Sequence, residues 1–259
     1  MLPRPRLVFS TEFVIILLAL LIVAGMYSSI GLGGASGYLA VLSLSSFAND
    51  ESMWLKQYAW SLNLIVAGLA FWQYRRSGHH VIGLSVPFVC ASVPLAAAGG
   101  YLLVEGNLYD FLLSLALLVA AWMLFSEKVE VEELTRPSVA KATLIGGAIG
   151  FASGVIGIGG GIFLLPALIL GGWGTAKEAA ATASLFVWLN SLSGLMGAGL
   201  AGTLDLDMEV LVPFATMVLL GGLIGSRYGS QVSSQRGVRL ILVLVLVLAA
   251  SKRVFDIIS

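Results

Sequence analysis

Two glycine-rich patches are the places where the residue types in this sequence suggest chemistry. The first covers residues 31–37 and the second residues 154–161, and each interrupts a long apolar stretch. Glycine lets a backbone leave helical geometry at low steric cost. A helix that restarts after such a break presents unpaired N–H groups at its N-terminus, where the helix dipole favours an anion. The patches therefore predict binding positions for a small anion that are built from backbone dipoles.

Small polar residues near the patches and in the middle of apolar segments extend this prediction. Serine hydroxyls beside a break can donate to an oxyanion, and an intramembrane polar residue is a functional candidate by default. The alternative for an asparagine is an ordinary hydrogen bond between helices, and a serine can also bond to its own backbone. The predicted substrate-binding residues are Ser28, Ser29, Gly31, Gly33, Gly34, Asn63, Ser153, Gly157, Gly159, Gly160, Gly161 and Asn190.

Other glycine pairs have a simpler interpretation. Gly150 and Gly154, and likewise Gly221 and Gly225, have the four-residue spacing at which small residues let two membrane helices approach closely. Helix packing is therefore the favoured role for these pairs. A nucleotide-binding loop is disfavoured for any of the glycines, because no strand precedes the patches and no Lys-Ser or Lys-Thr pair follows them.

Titratable groups are sparse within the apolar segments. Lys56 lies near the start of one segment, where it either attracts an anion at an entrance or extends its ammonium group to the membrane interface, the favoured reading. His79 and His80 are adjacent in a loop, and no intramembrane cluster of His, Asp or Glu accompanies them. Metal sites and acid–base catalysis need such groups to converge. We therefore expect no catalytic residue, no metal and no cofactor.

Composition defines the setting of these residues. Of 259 residues, 58% are hydrophobic and 11% are charged, whereas a soluble domain has about 25% charged residues. The sequence predicts an all-α integral protein of the cell membrane, surrounded by the lipid bilayer, and its net charge of zero gives no indication of nucleic-acid binding. Eight long apolar segments cover about 12–48, 52–74, 81–103, 108–125, 139–172, 178–201, 208–229 and 237–255. The single cysteine, Cys90, falls in one of them and is expected to pack against neighbours.

Two of the eight segments, 12–48 and 139–172, are too long for one straight crossing. A helix over the whole of 12–48 would be about 55 Å long, well beyond the roughly 30 Å of hydrocarbon in a bilayer. Each of these segments contains one of the glycine patches. We therefore predict that each helix breaks at its patch and continues as a second, shorter piece.

The two halves of the chain match at a nearly constant distance. Ile30–Gly34 corresponds to Ile156–Gly160, and Val86–Phe88 corresponds to Val212–Phe214, in both cases 126 positions later. The two asparagines predicted above correspond at 127 positions. Such a register predicts an internal duplication, and duplicated halves are the usual construction of secondary transporters, with the substrate at the interface of the repeats. The predicted domains are an N-terminal transmembrane repeat over 1–125, a hydrophilic linker over 126–138 and a C-terminal transmembrane repeat over 139–259.

The second patch and the segments after it resemble the sulfite exporter TauE/SafE family of membrane permeases. Gly154–Pro166 (GVIGIGGGIFLLP) is similar to the glycine-rich signature of that family, in which the glycines end in a short apolar run and a proline. Ala181–Leu185 with Asn190 and Ser191 is similar to the small and polar segment that follows, and Gly221–Gly225 resembles the next helix. The first half departs from the signature, because Ala40 replaces the counterpart of Pro166. The resemblance implies transport of sulfite, organosulfonates or related small anions.

These observations together predict a membrane transporter that binds a small sulfur-containing anion at the N-termini of broken helices near the membrane midplane. The alternatives are a passive channel for small anions and, less favoured, a membrane-embedded enzyme. The sequence does not distinguish H+ from Na+ as a coupling ion, import from export, or one oligomeric state from another.

The orientation of the halves depends on how the broken segments cross the membrane. Lys and Arg divide nine to five between the two sides whether each broken segment crosses once or twice, so the preference for positive charge in the cytoplasm does not choose between them. Two crossings would give five elements per half and an inverted 5+5 arrangement. We favour this inverted arrangement, because two broken elements that meet head to head form an anion site at the midplane.

Overall fold

The computed structural model describes residues 10–49, 52–126, 134–231, 243–244, 246–252 and 254–255. In these residues the protein is all-helical, with no strand. The helices are α1 (Thr11–Ser29), α2 (Ala35–Ser43), α3 (Ser52–Arg76), α4 (Ile82–Tyr101), α5 (Gly106–Ser126), α6 (Val139–Ile156), α7 (Gly161–Leu170), α8 (Ala176–Leu200) and α9 (Met208–Gln231), with a 3-10 turn at Ser46–Asn49. The described residues from 243 onward are also helical. Most of the predicted linker, and the start of the predicted last segment, lie outside the described residues.

Six helices are long and apolar enough to cross a membrane within the described ranges: Thr11–Ser29, Ile82–Tyr101, Gly106–Met123, Val139–Ile156, Ala176–Leu200 and Met208–Tyr228. Large apolar side chains on these helices, such as Ile22, Leu144 and Ile224, are more than half exposed. In water such a surface would be a liability, but in lipid it is the expected exterior. Cys90 also lies on this exterior, so its predicted packing role is wrong. The protein is a multi-pass membrane protein.

Both predicted helix breaks are present at the glycine patches. α1 ends at Ser29 and α2 begins at Ala35, while α6 ends at Ile156 and α7 begins at Gly161. The residues that precede α2 and α7, Gly34 and Gly160, have φ angles of 105° and 82°. Only glycine adopts this left-handed conformation routinely. Glycine at these two positions therefore lets the backbone turn, and the helix is interrupted there.

Each broken pair folds back on itself. After α2, the Ser46 amide donates to Glu12 Oε1 at the start of α1, over 2.7 Å. After α7, the Gly172 carbonyl accepts from the Thr135 amide, just before α6, over 2.8 Å. Each pair is therefore a hairpin whose tip is the glycine patch and whose two open ends lie at the same end of the molecule.

Small residues let the longer helices pack backbone to backbone. On α6, Gly146, Gly150 and Gly154 contact in turn Phe88, Ser92 and Ala96 of α4. The residue numbers rise together, so α4 and α6 run parallel. The predicted packing role of Gly150 and Gly154 is confirmed.

The same construction joins α1 to α9. Gly221 contacts the Leu21 backbone and Gly225 contacts the Gly25 backbone. These contacts also advance together along both helices, so α1 and α9 run parallel. The packing role predicted for Gly221 and Gly225 is confirmed.

The central helices α3 and α8 run antiparallel. Trp60 contacts Gly194, Asn63 contacts Ser191, and Gly68 contacts Trp188, so numbers rise on α3 as they fall on α8. These two helices hold both asparagines close to their midpoints. They therefore form the scaffold on which the tips of the two hairpins rest.

Candidate functional site

The two glycine patches converge on Asn63. A Cβ atom built on Gly33 would lie 2.5 Å from Asn63 Oδ1, and one built on Gly159 would lie 2.6 Å from Asn63 Nδ2. Val187 of α8 contacts both glycines. The structure thus brings one asparagine and one glycine from each break into a single cluster, which we call the Asn63 cluster (Gly33, Asn63, Gly159, Val187 and Ser191).

Several buried amide atoms at this level have no hydrogen-bond partner among the described residues. Asn63 Nδ2 donates to Ser191 Oγ over 3.1 Å, but Asn63 Oδ1 has no donor. Neither amide atom of Asn190 has a partner, although the side chain is 1% exposed. A buried polar group without a partner costs about 1–3 kcal/mol. Three such atoms on the two central helices therefore keep unused hydrogen-bonding capacity within the described structure.

Within the described residues, no side chain caps the first N–H groups of the two short helices, α2 and α7. The tips are instead held through carbonyl groups, since Tyr38 donates to the Gly33 carbonyl over 2.8 Å and Tyr109 donates to the Ile156 carbonyl over 3.1 Å. The tyrosines therefore hold the hairpin tips through carbonyl groups and do not bond to the first N–H groups of α2 and α7.

The predicted serines lie beside the breaks but bond to backbone carbonyls. Ser28 Oγ donates to the Gly25 and Gly222 carbonyls, both over 3.3 Å, at the contact of α1 with α9. Ser29 Oγ donates to the Met26 carbonyl over 2.7 Å, and Ser153 Oγ donates to the Ile149 carbonyl over 2.6 Å. The structure thus does not direct these hydroxyls to the Asn63 cluster.

The remaining predicted glycines pack against separate neighbours around the cluster. Gly31 contacts Ala180, Gly34 contacts Tyr38, and Gly157 contacts Lys56. Gly160 contacts Ser153, and Gly161 contacts Val187. They shape the two hairpin tips, while Gly33 and Gly159 alone among these glycines touch Asn63.

Sequence reasoning left three residues of this region out of the predicted set. Ser191 and Val187 complete the Asn63 cluster. The signal for Ser191 was a polar residue next to Asn190 in an apolar segment, and the signal for Val187 was its helical spacing of three residues from Asn190. Lys56 was expected at the membrane interface, but its side chain is 0% exposed. The Lys56 side chain is enclosed by protein, since its stem lies against Gly157 and its ammonium group is 3.4 Å from the Leu102 carbonyl in the α4–α5 loop.

A second group of hydrogen-bonded polar side chains lies near the end of α3 and the start of α8, at the other end of these helices from Lys56. His80 Nε2 is 3.1 Å from Ser85 Oγ, which is 3.0 Å from Thr182 Oγ1. Burial lowers the pKa of His80, and the charge of Arg75 lowers it further. His80 is thus held toward its neutral form, in which one ring nitrogen can accept a hydrogen bond.

Comparison with known proteins places the whole fold in one family. The sequence profile of the family described as "Sulfite exporter TauE/SafE" matches residues 15–253. The "Probable membrane transporter protein y4hK" of Sinorhizobium fredii is 31% identical over 247 residues, which cover 93% of this chain and 98% of that protein. No solved structure matches the chain. With the glycine signature at a hairpin tip and a matching profile over nearly its full length, this chain belongs to the sulfite exporter TauE/SafE family of membrane transporters.

Proposed function

We propose that this protein carries small sulfur-containing anions, such as sulfite or organosulfonates, across the membrane and binds them between the two hairpin tips. The observation that supports this most directly is the set of unpartnered amide atoms on Asn63 and Asn190. A purely structural asparagine pair in a membrane helix would have found hydrogen-bond partners, because the surrounding hydrocarbon offers none.

The chemistry of the proposed site suits a small oxyanion. The N-termini of α2 and α7, which have no side-chain cap in the described structure, supply N–H groups and the positive ends of two helix dipoles. The amides add both a donor and an acceptor. An oxyanion that carries one proton, such as bisulfite, offers acceptors to the N–H groups and a donor to an amide oxygen. Dipoles without a fixed cation bind weakly enough to allow release, which transport requires.

The proposed contacts are Gly33, Asn63, Gly159 and Asn190, with the backbone of the first turns of α2 and α7. Gly33 and Gly159 lie against Asn63 from the two hairpins. Because each hairpin supplies one half of the site, a relative shift of the hairpins would open it to one side at a time.

We further propose that the chain is an inverted 5+5 duplication. Support comes from the antiparallel α3 and α8, which correspond in the repeat register, and from the packing of α1 on α9 and of α6 on α4. The ion pair between Arg136 and Glu178, 3.6 Å apart, holds the start of α6 and the start of α8 at the same end. One crossing per broken segment would separate them.

Flux measurements test the proposal. Purified protein in proteoliposomes is offered labelled sulfite, a labelled alkylsulfonate, sulfate and chloride, and initial rates are followed over a range of concentrations. A carrier gives saturable uptake of at least one sulfur oxyanion, with competition by the related anions. A rate that rises linearly with concentration would indicate a channel, and the absence of flux for every anion would refute the proposed function.

A further inference from the structure

Lys56 and Trp60 form a cluster of hydrogen-bond donors with a shortage of acceptors. Lys56 is fully buried, and among the described residues it makes no salt bridge; its ammonium group donates to the Leu102 carbonyl over a long 3.4 Å. The indole N–H of Trp60 is buried without any partner in the described structure. The Lys56 ammonium lies 6.0 Å from the centre of the Trp60 ring and 5.9 Å from that of Tyr109. The charge of Glu105 in the α4–α5 loop attracts the ammonium, but no ion pair with it forms among the described residues. A buried charge without a directly paired counter-ion is costly.

The cluster lies on the same face of α3 as Asn63. Seven residues separate Lys56 from Asn63, which is two turns of helix or about 10 Å. Trp60 lies between them. The cluster is therefore adjacent to the proposed anion site but separate from it.

Among the described residues, Lys56 is the only charged side chain that is buried. In the register that relates Asn63 to Asn190, the counterpart of Lys56 is Ala183, an uncharged residue on α8. Lys56 lies at the end where Ser52 of α3 bonds to the Val104 carbonyl and Gln57 bonds to the Asp205 backbone. A substrate path through the Asn63 cluster would thus be electrostatically asymmetric.

We propose that Lys56 and Trp60 form a second binding site for the same class of small oxyanion, occupied on the way to or from the Asn63 cluster. The donors match such a ligand, since an oxyanion has acceptor oxygens and one negative charge and would neutralise the buried ammonium. The inference rests on the proposed function for the identity of the anion. The inference goes beyond the proposed function because it predicts two separable binding positions along α3.

A charge-neutral substitution separates this role from a structural one. Lys56→Gln keeps a hydrogen-bond donor and most of the packing volume, but it removes the charge. We expect the KM for sulfite to rise about tenfold, as the loss of a charge-assisted hydrogen bond implies, with little change in the melting temperature. Lys56→Arg should restore most of the affinity, and Trp60→Phe, which removes the N–H group together with part of the ring system, should raise the KM by a smaller factor. Lys141→Gln, at an exposed lysine on α6, is the control for loss of one positive charge.

Binding to a protein whose asparagine site is disabled tests the second site independently of flux. The variant Asn190→Leu is titrated with sulfite, and its melting temperature is recorded with chloride at constant ionic strength as reference. Stabilisation that persists in Asn190→Leu and disappears in Asn190→Leu/Lys56→Gln supports the second site, even if wild-type protein shows no flux and the proposed function fails. An unchanged KM in Lys56→Gln, or equal stabilisation of both variants, would overturn the inference and leave Lys56 as a cap for the Leu102 carbonyl.

Discussion

At the scale of single residues, unmet hydrogen bonds distinguish a binding role from a packing role. Ser28 and Ser153 satisfy their hydroxyls on nearby carbonyls, so their burial needs no ligand. Asn190 is equally buried but has no partner within the described residues. No hydrogen bond within the described residues offsets the free energy lost by burying its amide. Substitutions that remove these unpartnered polar groups should therefore change activity without lowering stability.

Replacing Asn190 with leucine should abolish transport without destabilising the protein. Leucine has nearly the same shape, and it removes two polar atoms whose burial costs about 1–3 kcal/mol. We expect initial flux of sulfite in proteoliposomes to fall at least about tenfold, with a melting temperature in detergent that is equal to or higher than wild type. The matched control is Asn107→Leu, at an exposed asparagine on α5. A lower melting temperature with normal flux would show that Asn190 is structural.

Alanine at Gly33 should impair transport through one added methyl group. The φ of Gly33 is not positive, so the expected effect comes from the contact of the new Cβ with Asn63 Oδ1 at 2.5 Å and with Val187 at 2.7 Å. Overpacking of this kind costs about 1–3 kcal/mol. We expect the protein to insert normally, as judged by its yield in membranes, while flux drops severalfold or more.

Gly83→Ala is the control for this glycine substitution. A Cβ on Gly83 of α4 meets nothing within 4 Å, and alanine favours a helix over glycine by about 1 kcal/mol. Its flux should equal that of wild type. Wild-type flux in Gly33→Ala as well would contradict the assignment of Gly33 to the site.

At the scale of helices, the glycines divide into two groups by what they touch. Gly146, Gly150 and Gly154 touch the backbone of α4, and they set how closely α6 approaches it. Gly33 and Gly159 touch a side chain that has an unmet polar atom. The first group should affect stability and the second activity.

Leucine at Gly150 should destabilise the protein by forcing α6 away from α4. A Cβ there would already lie 2.6 Å from Ser92 Cα, and three more carbon atoms have no space. We expect a melting temperature lowered by several degrees or a loss of folded protein, since the cost exceeds the roughly 1–3 kcal/mol of ordinary overpacking. Ala148→Leu, at an exposed position on the same helix, should change the melting temperature little. Equal stability of both variants would disprove the packing role.

The loop between α3 and α4 should make stability depend on pH. Because burial and the charge of Arg75 lower the pKa of His80, the unfolded state binds a proton more readily than the folded state. The stability conferred by neutral His80 is complete above the unfolded pKa of about 6.5 and is lost as the pH falls from that value toward the folded pKa. The melting temperature should therefore fall less in His80→Gln than in wild type between about pH 7.5 and 5.5. An equal fall of the melting temperature with pH in His80→Gln and wild type would show that His80 does not contribute to the pH dependence.

At the scale of the whole molecule, the contacts sort the loops into two ends. One end holds the α3–α4 loop, the start of α6 and the α7–α8 turn, where Arg136 pairs with Glu178. The other holds the starts of α1 and α3 with the α4–α5 and α8–α9 loops. The inverted arrangement assigns most Lys and Arg to the first end, which the preference for positive charge then places in the cytoplasm.

Accessibility labelling should find these two ends on opposite sides of the membrane. In a Cys90→Ser background, needed because Cys90 is exposed, single cysteines are placed at Gly78, Thr175, Gly106 and Gly202. We expect an impermeant thiol reagent added to whole cells to label the last two positions and not the first two. Labelling of positions 78 and 175 from opposite sides would rule out the hairpin and restore a single crossing for the second broken segment.

The range of the interactions determines which structural features the sequence predicts. The helix breaks were readable, because glycine patches such as 154–161 act on their own backbone. The packing role of Gly150 and Gly154 followed from their spacing alone. The convergence of Gly33 and Gly159 on Asn63 was not readable, since it depends on how α3 crosses both hairpins.

The sequence by itself determined the membrane class, the family resemblance and the positions of the breaks, because composition and local backbone preference act without tertiary contacts. Only the tertiary structure decided that each broken segment folds back. It also decided that the Ser28 hydroxyl bonds to α9 and that Lys56 is buried beside Gly157. The physical reason is that a side chain's hydrogen-bond partners and burial are set by neighbours distant in sequence. For Lys56 those neighbours are Leu102 just after α4, Tyr109 on α5 and Gly157 just after α6.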